Sequence, residues 1–411
     1  MRRFENIALV VIAAAVGFSI AAYNAAGLIA PTLVTVPEVS YLENRNYTES
    51  PSLTGDTFLQ KAFQDEFDSF LSDHVPSRDQ IVLFNAAMQR TSIAASAAVR
   101  GYTVYPTFFE SHYYVVPNDR LIVDRAEQAP SDADMRALDA WVDTLNEAAR
   151  QHPDIRFVYD CVARHDQTEA NPTYRYYNDR LNPAWVQEHF IDRLDSRIDA
   201  FIDPVASYDE IVGEWFATDP HWTLERALES YNLVAERLNL ETYSYENPVK
   251  VADGWYGSYA KSGLDLDIPI NLEDLPLDFS QLSFSNLQED GGGEKYMGAR
   301  DAVLSGNATL EADGESAYYA YFGGGSAEVI NSGTNNGRKL LFVGDSLSYC
   351  LARFIASNYS ESVFLLPGNG RFTTSLENYL QMYKPDDVIV MMHASKFEMI
   401  AEYSPAFMGL E

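Results

Sequence analysis

The chain has few cysteines and few basic residues, and each shortage excludes a class of protein. It holds 2 cysteines in 411 residues, too few for a disulfide-rich scaffold or for a cysteine cluster that binds zinc. Lysine and arginine total 29 against 60 acidic residues, so the net charge is −31. Nucleic-acid binding needs a basic surface and is therefore excluded. The same charge disfavours peripheral contact with an anionic membrane.

Internal repeats, low-complexity tails and motifs for cofactors or metals are also missing from the sequence. The glycine run 323–325 has no basic partner and no strand-glycine-helix order, so it does not predict a phosphate-binding loop. We expect neither a cofactor nor a metal. Cys161 and Cys350 are interpreted as buried free thiols, with a disulfide between them as the alternative.

The N-terminus carries the clearest signal for cellular location. Residues 6–37 contain no charged side chain, and residues 7–23 are almost wholly apolar. A run of this length can span a bilayer as a helix, and the arginines that precede it keep that end in the cytoplasm. We predict a membrane anchor in residues 1–35 and an extracytoplasmic domain in residues 36–411. A secretory signal peptide that is cleaved is the alternative.

Strands and helices alternate in the C-terminal part of the chain. Apolar β-type runs at 339–343, 362–366 and 387–392 are separated by helical stretches at 347–356 and 375–382. This alternation predicts an α/β fold with a parallel sheet flanked by helices. In such sheets the active site lies at the carboxyl ends of the strands. Earlier in the chain, the domain begins with an N-terminal helical arm, and 131–151, 182–198 and 224–238 also show helical spacing.

Two short segments together supply the residues for acyl-transfer chemistry. Ser346 lies where an apolar strand meets a helical run, a place where a hydroxyl is exposed and the backbone N–H can stabilise an oxyanion. Asp219 and His221 lie two residues apart, just before another helix. That spacing fits a carboxylate that orients an imidazole, which could then take the serine proton. We predict Ser346 as nucleophile, His221 as base and Asp219 as the group that orients it.

Each of these residues also has a simpler interpretation. Ser346 could be a helix N-cap, a common role for serine, or Asp345 could take that role. Asp219 could likewise be a capping residue, and His221 a surface histidine. His393, which follows the apolar run 388–392, is a competing candidate for the base.

Further residues are candidates for contacts with substrate or oxyanion. Asn369 follows one predicted strand and precedes a helix, so it could donate to an oxyanion, while a simple turn explains it equally well. Gly324 could let backbone approach a substrate. Trp222 could line an aromatic groove for a sugar, with core packing as the alternative.

The order of these motifs resembles the DHHW protein family, a membrane-anchored, SGNH-hydrolase-like group related to the alginate O-acetyltransferases of the AlgX and AlgJ type. The stretches that carry the resemblance are Glu43-Asn44-Arg45, Asp73 with Pro76 and Arg78-Asp79, Asp219-Pro220-His221-Trp222-Thr223, Gly323-Gly324-Gly325, Gly344-Asp345-Ser346, and Arg371 followed by Ser375-Leu376. Pro220 stands where the Asp-His-His-Trp-Thr signature has its first histidine. An SGNH-type Gly-x-Asn-Asp stretch, the usual source of an oxyanion partner, is missing.

The resemblance implies acyl transfer at the cell surface. Ser346 would form an acyl-enzyme from an acetyl ester, His221 would carry the proton, and a hydroxyl of a cell-surface polysaccharide would accept the acetyl group. Arg371 would lie near the nucleophile as a candidate substrate contact. The acetyl donor would come from a membrane-bound acyltransferase, since acetyl-CoA is not exported. The alternatives are an acetylesterase, with water as acceptor, and a non-catalytic glycan-binding or assembly protein.

Overall fold

Contacts divide the chain into two units. One comprises Met1–Ser111 and Ala260–Asp267, and the other comprises His112–Tyr259 and Ile268–Glu411. The computed structural model describes residues 39–40, 42, 45–49, 61–99, 113–115, 122–124, 131–162, 183–203, 210, 213–262, 270–286, 327–366, 374–393 and 407–408.

The described part of the first unit contains a short strand pair and two helices. They are β1 (Val39–Ser40), β2 (Arg45–Asn46), α1 (Lys61–Asp73) and α2 (Arg78–Val99). Asp73 is buried at the end of α1, and its carboxylate accepts hydrogen bonds of 2.9 Å from the backbone N–H and the hydroxyl of Thr48. The guanidinium of Arg78 lies 3.8 Å from the same carboxylate. The Asp73 and Arg78 motif therefore ties the N-terminal segment to the helix pair.

The second unit is built around a seven-stranded sheet. The strands of this unit are β3 (Tyr113–Val115), β4 (Ile122–Asp124), β5 (Arg156–Val162), β6 (Ile198–Asp203), β7 (Val249–Trp255), β8 (Ile270–Asp274), β9 (Ser283–Asn286), β10 (Ala327–Asn331), β11 (Lys339–Gly344), β12 (Glu361–Leu365) and β13 (Asp387–His393). The remaining helices are α3 (Asp132–Gln151), α4 (Pro183–His189), α5 (Leu224–Leu238), α6 (Ser258–Ser262), α7 (Ala352–Ala356) and α8 (Leu376–Tyr383). The division between the units falls within α6, at Ala260.

Five neighbouring strands of the large sheet run parallel. The strand order is β6-β5-β13-β11-β12-β10-β9, and at one edge β10 pairs antiparallel with both β12 and β9. β3 pairs with β4 and β7 pairs with β8 outside this sheet. The central strand β11 is buried from Leu340 to Gly344. A continuous apolar strand of this kind is typical of a parallel sheet whose two faces are both covered.

Helices cover both faces of the sheet. Tyr159 of β5 lies in one core cluster with Trp141 of α3, on the face that α8 also covers. The next residue, Asp160, points to the opposite face, because side chains alternate along a strand. There its carboxylate accepts a 2.7 Å hydrogen bond from the hydroxyl of Ser230 in α5. The segment before α5, which holds the predicted base, is thereby brought to that face.

The predicted α/β fold, with a parallel sheet flanked by helices, is confirmed for the five parallel strands. The antiparallel edge formed by β9 and β10 was not predicted. The predicted anchor in residues 1–35 lies outside the described residues. Within the part of the chain that is described, no helix has both the length and the apolar character needed to cross a bilayer.

Both cysteines are free and buried, so we expect neither thiol to react while the protein is folded. Burial raises the pKa of the Cys350 thiol to about 12 and raises that of Cys161 well above its ordinary value. At about pH 8, roughly one Cys350 thiol in ten thousand would be a thiolate, the reactive form. A thiol-specific disulfide reagent should therefore label neither cysteine in native protein and both in urea. Rapid labelling of the native chain, at the rate seen with glutathione, would contradict this expectation.

Candidate active site

A tight loop at residues 214–223, called the base loop here, carries the predicted base and its carboxylate. Backbone hydrogen bonds close it like a small hairpin: Thr223 N–H donates to the Glu214 carbonyl at 2.8 Å, and Phe216 N–H donates to the His221 carbonyl at 3.1 Å. Trp215 and Trp222 form an antiparallel bridge between these two contacts. The base loop ends where α5 begins, because the hydroxyl of Thr223 caps that helix by accepting from the N–H of Arg226.

Asp219 orients the imidazole of His221 inside this loop. The Asp219 Oδ1 atom lies 2.6 Å from His221 Nδ1 and also accepts from the His221 backbone N–H at 3.1 Å. Its second oxygen accepts a 2.8 Å hydrogen bond from the backbone N–H of Ser258. Asp219 is fully buried and His221 is 7% exposed. The carboxylate is therefore fixed at both oxygens and faces the ring nitrogen.

Ser346 lies directly after β11, at the carboxyl end of a parallel strand. Its Oγ atom lies 2.9 Å from His221 Nε2. The side chain of Ser346 makes no helix-capping hydrogen bond. Asp345 takes that role, since its carboxylate accepts from the N–H of Leu347 at 3.0 Å. The capping interpretation of Ser346 is thus ruled out, and the hydroxyl faces the imidazole.

These contacts form one hydrogen-bonded chain from carboxylate to imidazole to hydroxyl. Since Nδ1 faces a carboxylate, which only accepts, Nδ1 carries the proton and Nε2 is left as the acceptor for the Ser346 hydroxyl. A serine in this arrangement can lose its proton to the imidazole as it attacks an acyl carbon. The Asp219, His221 and Ser346 geometry therefore suits nucleophilic catalysis at an ester.

The turn after Ser346 differs from the predicted continuous helix. Residues Leu347–Leu351 form a 3-10 turn, and only then does α7 begin. The carbonyl of Leu347 accepts a 2.9 Å hydrogen bond from the indole Nε1–H of Trp222. Trp222 is fully buried, so the expectation that it lines a sugar groove is corrected. Its ring links the base loop to the nucleophile turn from the inside.

The other predicted site residues lie outside the described part of the chain, or have side chains that are not described. Asn369, Arg371 and Gly324 are not among the described residues, so their roles stay predictions. His393 ends β13, and its side chain is not described. It is His221 that lies at hydrogen-bond distance from Ser346, which favours it as the base.

Gly257 and Ser258 support the site and were missed in the sequence. They follow β7, far along the chain from the base loop, and no local motif marks them. A Cβ atom at residue 257 would overlap the carbonyl oxygen of Thr218 and lie 2.7 Å from the Cβ of Asp219. A glycine is therefore needed there so that the Ser258 N–H can approach Asp219.

We expect Gly257→Ala to lower activity by about ten- to a hundredfold, because the added methyl group must displace Asp219 and misalign His221. The measurement is the rate of ester turnover, with the folded fraction checked by near-UV circular dichroism. Gly213→Ala is the matched control, since a Cβ atom there would meet nothing within 4 Å. Equal activity in both variants would show that the close approach at Gly257 does not matter.

Solved structures share the fold of this chain. A DHHW family protein from Eubacterium siraeum matches over 74% of this chain and 97% of its own, with a TM-score of 0.53 and 14% identity. Bacillus cereus PatB1 matches over 71% of this chain and 100% of its own, with a TM-score of 0.51 and 11% identity. A second PatB1 structure, solved with a sulfonyl adduct, covers 71% of this chain and 98% of its own and gives a TM-score of 0.52 at 12% identity.

Sequence comparison adds no closer relationship. No protein-family model matches the chain, and no curated protein matches it. The O-acetyltransferase domain of Pseudomonas putida AlgJ covers 71% of this chain and 95% of its own, at 12% identity and a TM-score of 0.36, which is too low to carry an argument. The resemblance that the motifs indicated is therefore matched at the level of fold: this chain has the fold of a DHHW family protein and of PatB1.

Proposed function

We propose that this chain is an extracytoplasmic serine acyltransferase that acetylates a cell-surface polysaccharide through an acyl-serine intermediate. One observation carries the proposal: an unbroken series of hydrogen bonds joins Asp219, His221 and Ser346. Burial of the carboxylate and imidazole supports it, because a water-poor environment strengthens such contacts.

In the first half of the proposed reaction, the Ser346 Oγ atom attacks the carbonyl carbon of an acetyl ester. His221 Nε2 takes the hydroxyl proton and gives it to the departing alcohol. Asp219 holds the imidazole in place and stabilises the positive charge that develops on it. The product is an acetyl ester on Ser346.

In the second half, a sugar hydroxyl takes the place of the departed alcohol. His221 removes the proton of that hydroxyl as it attacks the acetyl-Ser346 carbonyl, and then returns a proton to the Ser346 oxygen. Water at the same position would give hydrolysis instead. Transfer and hydrolysis therefore share all three residues and differ only in the acceptor.

The proposed location and partners follow from the sequence. The apolar stretch in residues 1–35 would anchor the chain and leave the sheet outside the membrane. A membrane-bound acyltransferase would present the acetyl group. PatB1, which has the same fold, was solved with a sulfonyl adduct. An adduct of this kind forms on an activated nucleophile, which supports the use of a sulfonyl fluoride as a probe here.

We expect the full chain to become acetylated at Ser346 when it is mixed with an activated acetyl ester. Intact-protein and peptide mass spectrometry would detect the added acetyl group. Ser346→Ala should abolish the adduct, and His221→Ala should slow its formation by about 10²–10⁴-fold, the usual contribution of a general base. A sulfonyl fluoride should label the same serine.

Controls use the same residue types elsewhere in the fold. Ser280→Ala changes an exposed serine, and His152→Ala changes a histidine that pairs with Glu377; both should be acetylated at the wild-type rate. Addition of a glycan would then separate transfer to sugar from release of acetate. A folded chain that forms neither acetyl nor sulfonyl adduct would reject the proposal in favour of a glycan-binding protein.

A further inference from the structure

A buried arginine lies directly behind the base loop and takes no part in the proposed chemistry. Arg226, in the first turn of α5, is 4% exposed. Its Nη2 atom lies 2.6 Å from Oδ1 of Asp203, at the end of β6. Its Nε atom lies 3.3 Å from Oε2 of Glu214, the first residue of the base loop. One guanidinium therefore joins the sheet to the loop.

The same guanidinium also contacts the aromatic part of the base loop. The Cζ atom of Arg226 lies 5.6 Å from the ring centroid of Trp215, a distance at which a cation is attracted to the face of a ring. Trp215 in turn bridges Trp222, the neighbour of His221. Arg226 therefore contacts the first strand of the base loop directly, through Glu214 and Trp215. It is linked to the second strand through the bridge from Trp215 to Trp222.

Carboxylates surround the Arg226 guanidinium: besides Asp203 and Glu214, the Oε2 atom of Glu229 lies 3.5 Å from its Nη1 atom. Burial, together with the negative charge of Asp203, raises the pKa of Asp160 well above its ordinary value. Burial also raises the pKa of Glu214 to about 7. Burial raises the pKa of Asp203 as well, while the positive charge of Arg226 acts in the opposite direction and favours the charged carboxylate. At 2.6 Å, Asp203 is the nearest of these carboxylates to the guanidinium.

A buried ion pair of this kind is weak evidence for a contribution to stability. Removing two charges from water costs about as much as their attraction returns, and an apolar pair of similar volume often serves as well. The pair does fix geometry, because the planar guanidinium binds its partners in a defined orientation. Here the groups that it holds in a defined orientation are β6 and the base loop.

We propose that Arg226 is a positioning residue, which holds the base loop against β6 so that Asp219 and His221 face Ser346. The expected effect on catalysis rests on the proposed function. The expected effect on the position of His221 does not. The position of the His221 ring is a property of the folded chain, whether or not the chain transfers an acetyl group.

The test separates positioning from stability by removing the ion pair in two steps. Arg226→Met leaves the Asp203 carboxylate buried without its partner, so stability and activity should both fall. Asp203→Leu in the same chain removes that charge and should restore the melting temperature. The second substitution does not restore the contacts that Arg226 made with Glu214 and Trp215. Arg237→Met is the matched control on the same helix, since the Arg237 side chain is 30% exposed and contacts Asp199 and Phe201 of β6.

The first readout is the turnover of an activated acetyl ester by the full chain. In the double variant we expect kcat to be about ten- to a hundredfold below wild type, with KM unchanged, because a misplaced base weakens the chemical step. Arg237→Met should match the wild type. Recovery of kcat together with the melting temperature would overturn the proposal and leave Arg226 a structural residue only.

The second readout does not need catalysis. In nitrogen-15-labelled full chain, the Nδ1 proton of His221, assigned by its absence from His221→Ala, should resonate far downfield because of the short bond to Asp219. The signal should be lost in the double variant and kept in Arg237→Met. Its survival in the double variant, or its absence from the wild type, would overturn the proposal. A wild-type chain that shows the signal, loses it in the double variant and forms no acetyl-Ser346 would reject the proposed function while supporting the positioning role.

Discussion

The hydrogen bond between Asp219 and His221 is the contact on which the candidate site depends. It joins two buried side chains separated by one proline, and the surrounding structure supports the carboxylate. The base loop closes through its own backbone, and Ser258 donates to the second oxygen. Because both oxygens of the carboxylate are held, Asp219 fixes the orientation of the imidazole. In that orientation Nε2 of His221 faces the Ser346 hydroxyl.

The nucleophile turn and the base loop are joined twice. His221 contacts the Ser346 hydroxyl, and the indole of Trp222 donates to the carbonyl of the next residue, Leu347. The first contact is the one that chemistry would use, and the second fixes the distance between the two segments. Because Trp222 is buried, that distance is determined by core packing and not by the solvent-exposed surface. The distance between His221 and Ser346 is therefore held by the packing of the protein core.

The sequence predicted those features that depend on local pattern. Helix 224–238 has the predicted bounds, because apolar periodicity and a threonine cap are both local signals. Helix 182–198 was wrong in its second half: α4 ends at His189, a 3-10 turn follows at Ile191–Arg193, and β6 already begins at Ile198. Ile198 pairs with β5 in the sheet instead of continuing the helix. This pairing is a tertiary interaction, which helical spacing in the sequence cannot reveal. For the same reason, the antiparallel edge and the Ser258 contact were not foreseen.

The close approach at Gly257 has a consequence for protein engineering. Residues 214–223 look like a portable motif, since they contain the carboxylate, the base and a closed backbone. Their geometry nevertheless relies on a glycine and an amide from a segment that follows β7. Grafting the base loop alone onto another parallel sheet would transfer the residue types without the cradle that holds Asp219. A functional graft would have to bring residues 257–258 with it, as a second, discontinuous piece.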